Sequence, residues 1–392
     1  MSLTSPPRLH SAAHDEERRV TWLELFYDLV YVATLIQLGN SLSEDVSLAG
    51  FLRFVIVFAP IWWAWTGMTF YLNRFVVDDL RHRALIYLQI VAIFLLGISL
   101  EGAFGDLKTQ FVLAYVAVRL VQVVLYVRTW EHEPATRPLT QRYVLSYLAG
   151  IAIWIVSAFL PMPYAAGLWL LGLGIEIGTA VTPGTRRLVS SLPPDVSHMR
   201  ERYGIFVIIV LGESFIKTIT YAAGTPVTIE IFIFSLFSVF VVFGLWWLYF
   251  HDVEETTIRE GSLPAFAWVY AHLPLTVGMT AFGVATKKLF QGLGEGHLKP
   301  DYVLLLCGAL ALYALAVALI ESATDQSDAR LQDRYRVTFR LFIAAAAGCL
   351  ALFGRDLAPT QLMAIVAAVF LLVILSDIWP SLAKGAEPAE SG

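Results

Sequence analysis

The stretch Ile231-Phe-Ile-Phe-Ser-Leu-Phe-Ser-Val-Phe-Val-Val-Phe-Gly-Leu-Trp-Trp-Leu-Tyr-Phe250 contains no charged side chain. A helix of about twenty mainly apolar residues, rising about 1.5 Å per residue, crosses the roughly 30 Å hydrocarbon core of a bilayer. Read as a span over 228–250, this stretch places the chain in lipid. Working outward, similar runs bounded by Pro, Gly or charge clusters occupy 22–42, 48–72, 83–103, 107–130, 141–160, 163–180, 201–222, 263–290, 302–322, 336–354 and 359–379. The sequence therefore predicts an all-α, polytopic transmembrane helical bundle of about twelve helices. The connection Leu160-Pro-Met-Pro163 is short enough to fuse the fifth and sixth runs into one broken element.

Composition agrees with that reading and narrows the function classes. Of the 392 residues, 57% are hydrophobic and 15% charged, against about a quarter charged in soluble domains. The net charge of −5 comes with scattered basic residues, so the cationic stripe that nucleic-acid binding requires is missing. Cys307 and Cys349 sit in apolar runs without metal-ligand or redox spacing and read as small core residues. Arg8, Arg18 and Arg19 lie in a polar start with no apolar h-region, so no signal peptide is expected and the first helix is retained. No nucleophile elbow, Walker loop or dinucleotide fingerprint is present, so the reading assigns no cofactor and no catalytic residue.

The Lys and Arg distribution orients the bundle. With the N-terminus inside, 19 of the 27 fall in cytoplasmic segments, 5 in outer loops and 3 inside helices, which places both termini in the cytoplasm. Weak self-similarity accompanies this. Gln37 lies thirteen residues after Glu24, as Ser214 lies after Glu201, an offset of 177. Phe70-Tyr-Leu-Asn-Arg74 aligns with Leu248-Tyr-Phe-His-Asp252 at 178, and Tyr87-Leu-Gln89 with Tyr270-Ala-His272 at 183. These offsets suggest a parallel 6+6 repeat: a cytoplasmic tail 1–21, a first half 22–180, a connector 181–200, a second half 201–380 and a tail 381–392.

Charges inside a bilayer cost about 2.5 kcal/mol or more each, so every one needs a reason. Arg119 and Glu213 each fall twelve residues into their helices and are candidates for mutual pairing, either as a tuned proton or cation ligand or as a structural lock. Lys217 shares the face of Glu213 one turn on, but with few residues left to the span end it could snorkel to the headgroups, as could Arg53, Glu101, Glu176 and Glu321. Glu24, Asp28 and Tyr31 form one polar face of the first helix and Gln37 with Asn40 another, so this helix is expected inside the bundle or along a cavity. Two carboxylates at that spacing repel unless a cation, a proton or a basic neighbour intervenes. Asp78-Asp79 and His251-Asp252-Val-Glu254-Glu255 lie beyond the ends of the second and eighth spans and offer divalent-ion ligand types without defined ligand spacing. His272, the one histidine within these spans, precedes Pro274; a proton relay competes with a neutral core histidine bonded to a carbonyl or to Gln89.

Glu24-Leu-Phe-Tyr-Asp-Leu-Val-Tyr-Val32 and Glu201-Arg-Tyr-Gly-Ile-Phe-Val-Ile-Ile-Val-Leu-Gly-Glu-Ser214 resemble the signature segments of the bacterial low temperature requirement protein A family. Trp62-Trp-Ala-Trp65, Tyr71, Arg74 and Asp78-Asp79 extend the resemblance, which runs from Val20 to about Trp379. It implies a multi-pass protein of the bacterial inner membrane, linked by name to growth in the cold, without implying a reaction or substrate. The family's motif residues fall on Glu24, Asp28, Glu201, Arg202, Glu213 and Ser214.

Three functions follow as expectations. The first is a transporter or channel for a small ion or polar solute, with membrane lipids as surroundings and intramembrane carboxylates along the route. The second is an intramembrane or lipid-modifying enzyme using the cytoplasmic Asp and His side chains. The third is a sensor or scaffold in which the charges only specify helix packing.

Overall fold

The computed structural model describes residues 5–10, 19–223, 226–253, 256–259, 261–293, 298–326 and 330–385. These form thirteen α-helices and four strands of two or three residues. The chain divides into two compact units, Met1–Asp45 with Ala49–Ile209 and Val46–Leu48 with Val210–Gly392.

The first unit holds α1 (Trp22–Glu44), α2 (Leu48–Arg74), α3 (Leu80–Ile98), α4 (Lys108–His132), α5 (Arg137–Ala158), α6 (Tyr164–Val181), α7 (Pro183–Ser191) and the start of α8 (Val196–Ala222). Within it α4 packs on α3 and α5, α5 on α6, and α1 on α3. The second unit holds the rest of α8, α9 (Ile229–Val253), α10 (Ser262–Gly292), α11 (Pro300–Ser322), α12 (Arg330–Phe353) and α13 (Pro359–Gly385). Here α11 lies between α10 and α12, and α13 packs on α9.

All twelve expected helices are present, and α5 and α6 are separate elements. Eleven helices among the described residues are long and apolar enough to cross a membrane. The 23-residue α1 is not among them, because Glu24, Asp28, Gln37 and Asn40 lower its hydropathy. Its Asp28, Tyr27 and Tyr31 are fully buried in protein, where backbone and side-chain partners replace water. The outer faces carry side chains such as Phe94, Leu145, Leu171, Phe232 and Leu372, all exposed, as a surface solvated by lipid requires.

Three features depart from the sequence reading. The connector contains a short helix, α7, started by Thr182 accepting from the Thr185 N–H and by Pro183 in the first turn. Helix α8 begins at Val196 rather than 201, since the Asp195 carboxylate accepts from the N–H groups of Ser197 and His198. Two short antiparallel ribbons also occur. In the first unit β1 (Arg8–Leu9) pairs with β2 (Phe75–Val76), setting Arg8 against Val76 and Leu9 against Phe75. In the second, β3 (Thr256–Ile258) pairs with β4 (Thr324–Gln326). Strands this short have no readable alternation of their own.

Cys307 is buried as expected, whereas Cys349 is exposed on α12. The outward face of α12 needs only apolar character, which a thiol supplies.

Candidate functional site

The charged side chains gather into separate clusters inside each unit. In the first, Thr21 and Glu24 form a capping box at the start of α1: the Glu24 N–H donates to Thr21 Oγ1 at 3.3 Å, and Thr21 N donates to Glu24 Oε2 at 2.8 Å. One turn on, Asp28 Oδ1 accepts from the Trp65 indole at 2.8 Å and from Arg202 Nη2 at 2.5 Å. Trp65 is held for this by stacking on Phe206, with ring centroids 4.0 Å apart, and by an edge contact with Tyr203. Arg202 Nη1 lies 3.5 Å from Glu24 Oε1, and His198 Nε2 lies 3.5 Å from Glu24 Oε2. Asp28, His198 and Arg202 are fully buried and Glu24 is nearly so. Asp28 Oδ2 and Arg202 Nε have no hydrogen-bond partner among the described residues.

The tautomer of His198 follows from its neighbours. Asn73 Oδ1 accepts from Asp195 N at 2.9 Å, so the other end of that amide carries the hydrogens. Asn73 Nδ2 donates to the Asp195 carbonyl at 2.8 Å and lies 3.2 Å from His198 Nδ1. Nδ1 therefore accepts, and the ring proton sits on Nε2, facing Glu24.

A second cluster in the same unit joins α4 and α6. Arg119 donates through Nη2 to Glu176, through Nε to Tyr115 Oη at 3.0 Å, and through Nη1 to Gln122 Oε1 at 2.7 Å. Its guanidinium also lies 4.9 Å from the centre of the Tyr147 ring. Both charged side chains are fully enclosed. Gly150 on α5 makes room, since a Cβ there would come within 2.4 Å of Glu176 Oε1.

In the second unit, Lys217 Nζ pairs with Glu213 Oε1 at 2.9 Å, one helical turn apart. Ser214 Oγ donates to the Met279 carbonyl at 3.1 Å, and α8 approaches α10 so closely there that a Cβ on Gly283 would lie 2.9 Å from Ser214 Cα. Arg340 on α12 is fully buried, 3.0 Å from Glu321 on α11 and 3.6 Å from Asp377 on α13, whose Oδ2 accepts from Trp247 Nε1 at 3.2 Å.

The Glu24–Asp28–Tyr31 face of α1 is buried, the Gln37–Asn40 face is only partly covered, and Arg202 is the basic neighbour that Glu24 and Asp28 required. The proposed Arg119–Glu213 pair is replaced: Arg119 takes Glu176 and Glu213 takes Lys217. Equal depth along two helices sets no azimuth, and each charge found a partner in its own unit. Glu176 and Lys217 are buried in ion pairs instead of snorkelling, and the partly exposed Glu321 is paired with the buried Arg340. Arg53 and Glu101 stay at the surface, with Arg53 paired to Asp45 and Glu101 accepting from Gln37. Glu201 is exposed and accepts from the Val20 N–H at 3.1 Å, apart from the buried network.

Asp78 pairs with Arg83 at 2.9 Å. Asp79 caps α3 and binds Arg128 at 2.5 Å, so both carboxylates of that pair already have protein partners. His251 stacks on Trp247, while the side chain of Asp252 lies outside the described residues, as do Glu254 and Glu255. No group of three potential metal ligands occurs among the described residues. His272 Nδ1 donates to the Trp268 carbonyl at 2.7 Å and its Nε2 meets the Tyr249 hydroxyl at 2.8 Å, whereas Gln89 donates to Tyr27 at 3.4 Å. The carbonyl partner of His272 was expected; Tyr249 was not.

His198, Asn73, Trp65 and Arg340 belong to these clusters although no local pattern in the sequence marks them as site residues. Starting the seventh span at 201 hid His198, although His198 and Arg202 stand four apart and share a helix face. Arg340 lies four residues into the span 336–354, and nothing local marks it as buried.

With this geometry in place, comparison with known proteins adds the lineage. Residues 19–376 match the family model described as bacterial low temperature requirement A protein (LtrA). The chain belongs to the bacterial low temperature requirement A protein family. An uncharacterised protein of Rhizobium meliloti (strain 1021) is 27% identical over 290 residues, covering 68% of this chain and 69% of its own length. As a member of this low temperature requirement A family with multiple apolar spans, the chain is an integral, multi-pass membrane protein.

Proposed function

We propose that the chain is a transporter or channel for a small ion or polar solute in the cell membrane, with both termini cytoplasmic, and that the Glu24–Asp28–His198–Arg202 cluster is its working site. One observation carries this: among the described residues, two buried carboxylates, Glu24 and Asp28, are enclosed together with Arg202 and with a histidine whose ring is ionisable. Enclosing ionisable groups in this way costs several kcal/mol, a cost that a site changing its occupancy during function has reason to carry. The combination of enclosed carboxylates with an ionisable ring supports a site that takes up and releases charge. Asp78 and Asp79, already paired, lend no support to an enzyme at that end of the first unit.

The test is tracer uptake into proteoliposomes, comparing labelled sodium, rubidium and small polar solutes in wild type and Asp28→Asn. Wild type is expected to exceed empty vesicles for at least one species, and Asp28→Asn to fall to the empty-vesicle level while melting at a temperature near that of wild type. Wild-type vesicles no more permeable than empty ones to any species, protons included, remove the transport reading.

A further inference from the structure

Resting on the transport reading above, we infer that the species taken up by this cluster is a proton, and that His198 and Glu24 carry it. The geometry disfavours a metal ion. Sodium or a divalent cation requires about six oxygen ligands and no competing positive charge. Here Arg202 Nη2 sits 2.5 Å from Asp28 Oδ1 and Nη1 sits 3.5 Å from Glu24 Oε1, so a guanidinium already occupies the space between the carboxylates. Arg202 cannot yield its charge. What can change is the number of protons on Glu24, Asp28 and His198.

His198 is placed to pass a proton through its ring. Its Nδ1 faces Asn73 and its Nε2 hydrogen faces Glu24 Oε2. A hydronium ion reaching the Asn73 side breaks an O–H bond and leaves water as its proton forms an N–H bond at Nδ1 and makes an imidazolium. The Nε2–H bond then breaks, and its proton forms an O–H bond on Glu24 Oε2 once the 3.5 Å separation closes by a few tenths of an ångström or is bridged by one water. The ring is left neutral with its tautomer exchanged. No electrons are transferred, and one proton has moved from the Asn73 side to the Glu24 side.

Both ends of the relay couple to backbone. Protonated Nδ1 becomes a donor, so Asn73 Nδ2 must leave it, and that amide also brackets Asp195, which starts α8. A proton on Glu24 Oε2 competes with the Thr21 N–H and hydroxyl that hold the start of α1. Proton occupancy thus acts on the N-termini of two helices. Among the described residues, the charged groups on the His198 side of the cluster are Glu24 and Asp28 from α1, Arg202 from its own helix, and, on the Asn73 side, Asp195 with His10 acting on it and Arg74, which donates to the Leu192 carbonyl at 3.4 Å.

The full-length protein would be reconstituted into phosphatidylethanolamine–phosphatidylglycerol vesicles containing pyranine. Valinomycin with equal potassium on both sides prevents charge build-up. After an imposed pH step, wild type is expected to equilibrate the lumen about tenfold faster than empty vesicles, and Glu24→Gln and His198→Gln are expected to lose this gain. Glu24→Gln retains a capping-box residue, so its loss cannot be assigned to an unmade helix start. The exposed control Arg53→Gln keeps the wild-type rate. Uptake of sodium or rubidium without proton movement overturns this inference and leaves transport standing. Proton movement unaltered in both variants also overturns it. If neither protons nor tracers move, the transport reading falls with it.

Discussion

Arg119 and Glu176 illustrate what a single buried pair implies. Each is fully enclosed, and each carries hydrogen-bonding or aromatic neighbours that leave the pair electrically neutral. Arg119→Met alone strands the Glu176 carboxylate and is expected to destabilise the protein by about 3–5 kcal/mol. The double variant Arg119→Met/Glu176→Leu should recover most of that loss, and denaturant unfolding in detergent micelles measures both. A double variant as unstable as the single one would contradict a purely structural pair. Gly150 serves the same pair by its lack of a side chain. Gly150→Ala drives a Cβ into the Glu176 carboxylate and is expected to cost about 1–3 kcal/mol. Gly167→Ala on α6 meets nothing within 4 Å and should leave the melting temperature unchanged or raised. Equal effects of the two substitutions would show that room for Glu176 is not what Gly150 provides.

Between elements, Asp79 fastens the N-terminal segment, α3 and α4 together. Its carboxylate caps α3 through His82 N at 2.8 Å, accepts from Ser5 N at 2.9 Å and binds Arg128. Burial pushes this carboxyl up, but the Arg128 guanidinium and the His82 and Ser5 N–H groups outweigh it and hold it below the ordinary carboxylate range. The folded value is lower than the unfolded one. Its stabilisation is therefore complete above the unfolded pKa of about 3.9 and is lost as pH falls through the folded value. Asp79→Asn keeps a good cap residue and removes the charge. It should lower unfolding stability at neutral pH and flatten the acid limb of the stability curve below about pH 4. An acid limb identical to wild type would sink this assignment.

For the whole molecule, the charge bias predicts one topology. In a Cys307→Ala/Cys349→Ala background, Ala135→Cys and Thr257→Cys should react with a membrane-impermeant maleimide only from the cytoplasmic side, and Asp106→Cys and Lys299→Cys only from outside. The reverse pattern would invert the orientation, and a mixed one would break the twelve-span count. The twelve helices themselves were legible in the chain because a bilayer imposes one length and one composition on every segment that crosses it. The polar character of α1 was legible for the same reason: Glu24 and Asp28 could not face lipid, so their burial followed from cost alone. Which charges meet was not legible. Depth along a helix is encoded in residue count, but azimuth and neighbour are set by how helices pack, so Arg119 found Glu176 across a gap opened by Gly150, and Arg340 found Glu321 and Asp377. His198 entered the site only because Asp195 starts α8 five residues earlier than apolarity suggests. The sequence by itself determined a membrane-embedded bundle and a short set of expensive side chains. Only the tertiary structure decided their partners, because pairing depends on distances between helices that no local pattern records.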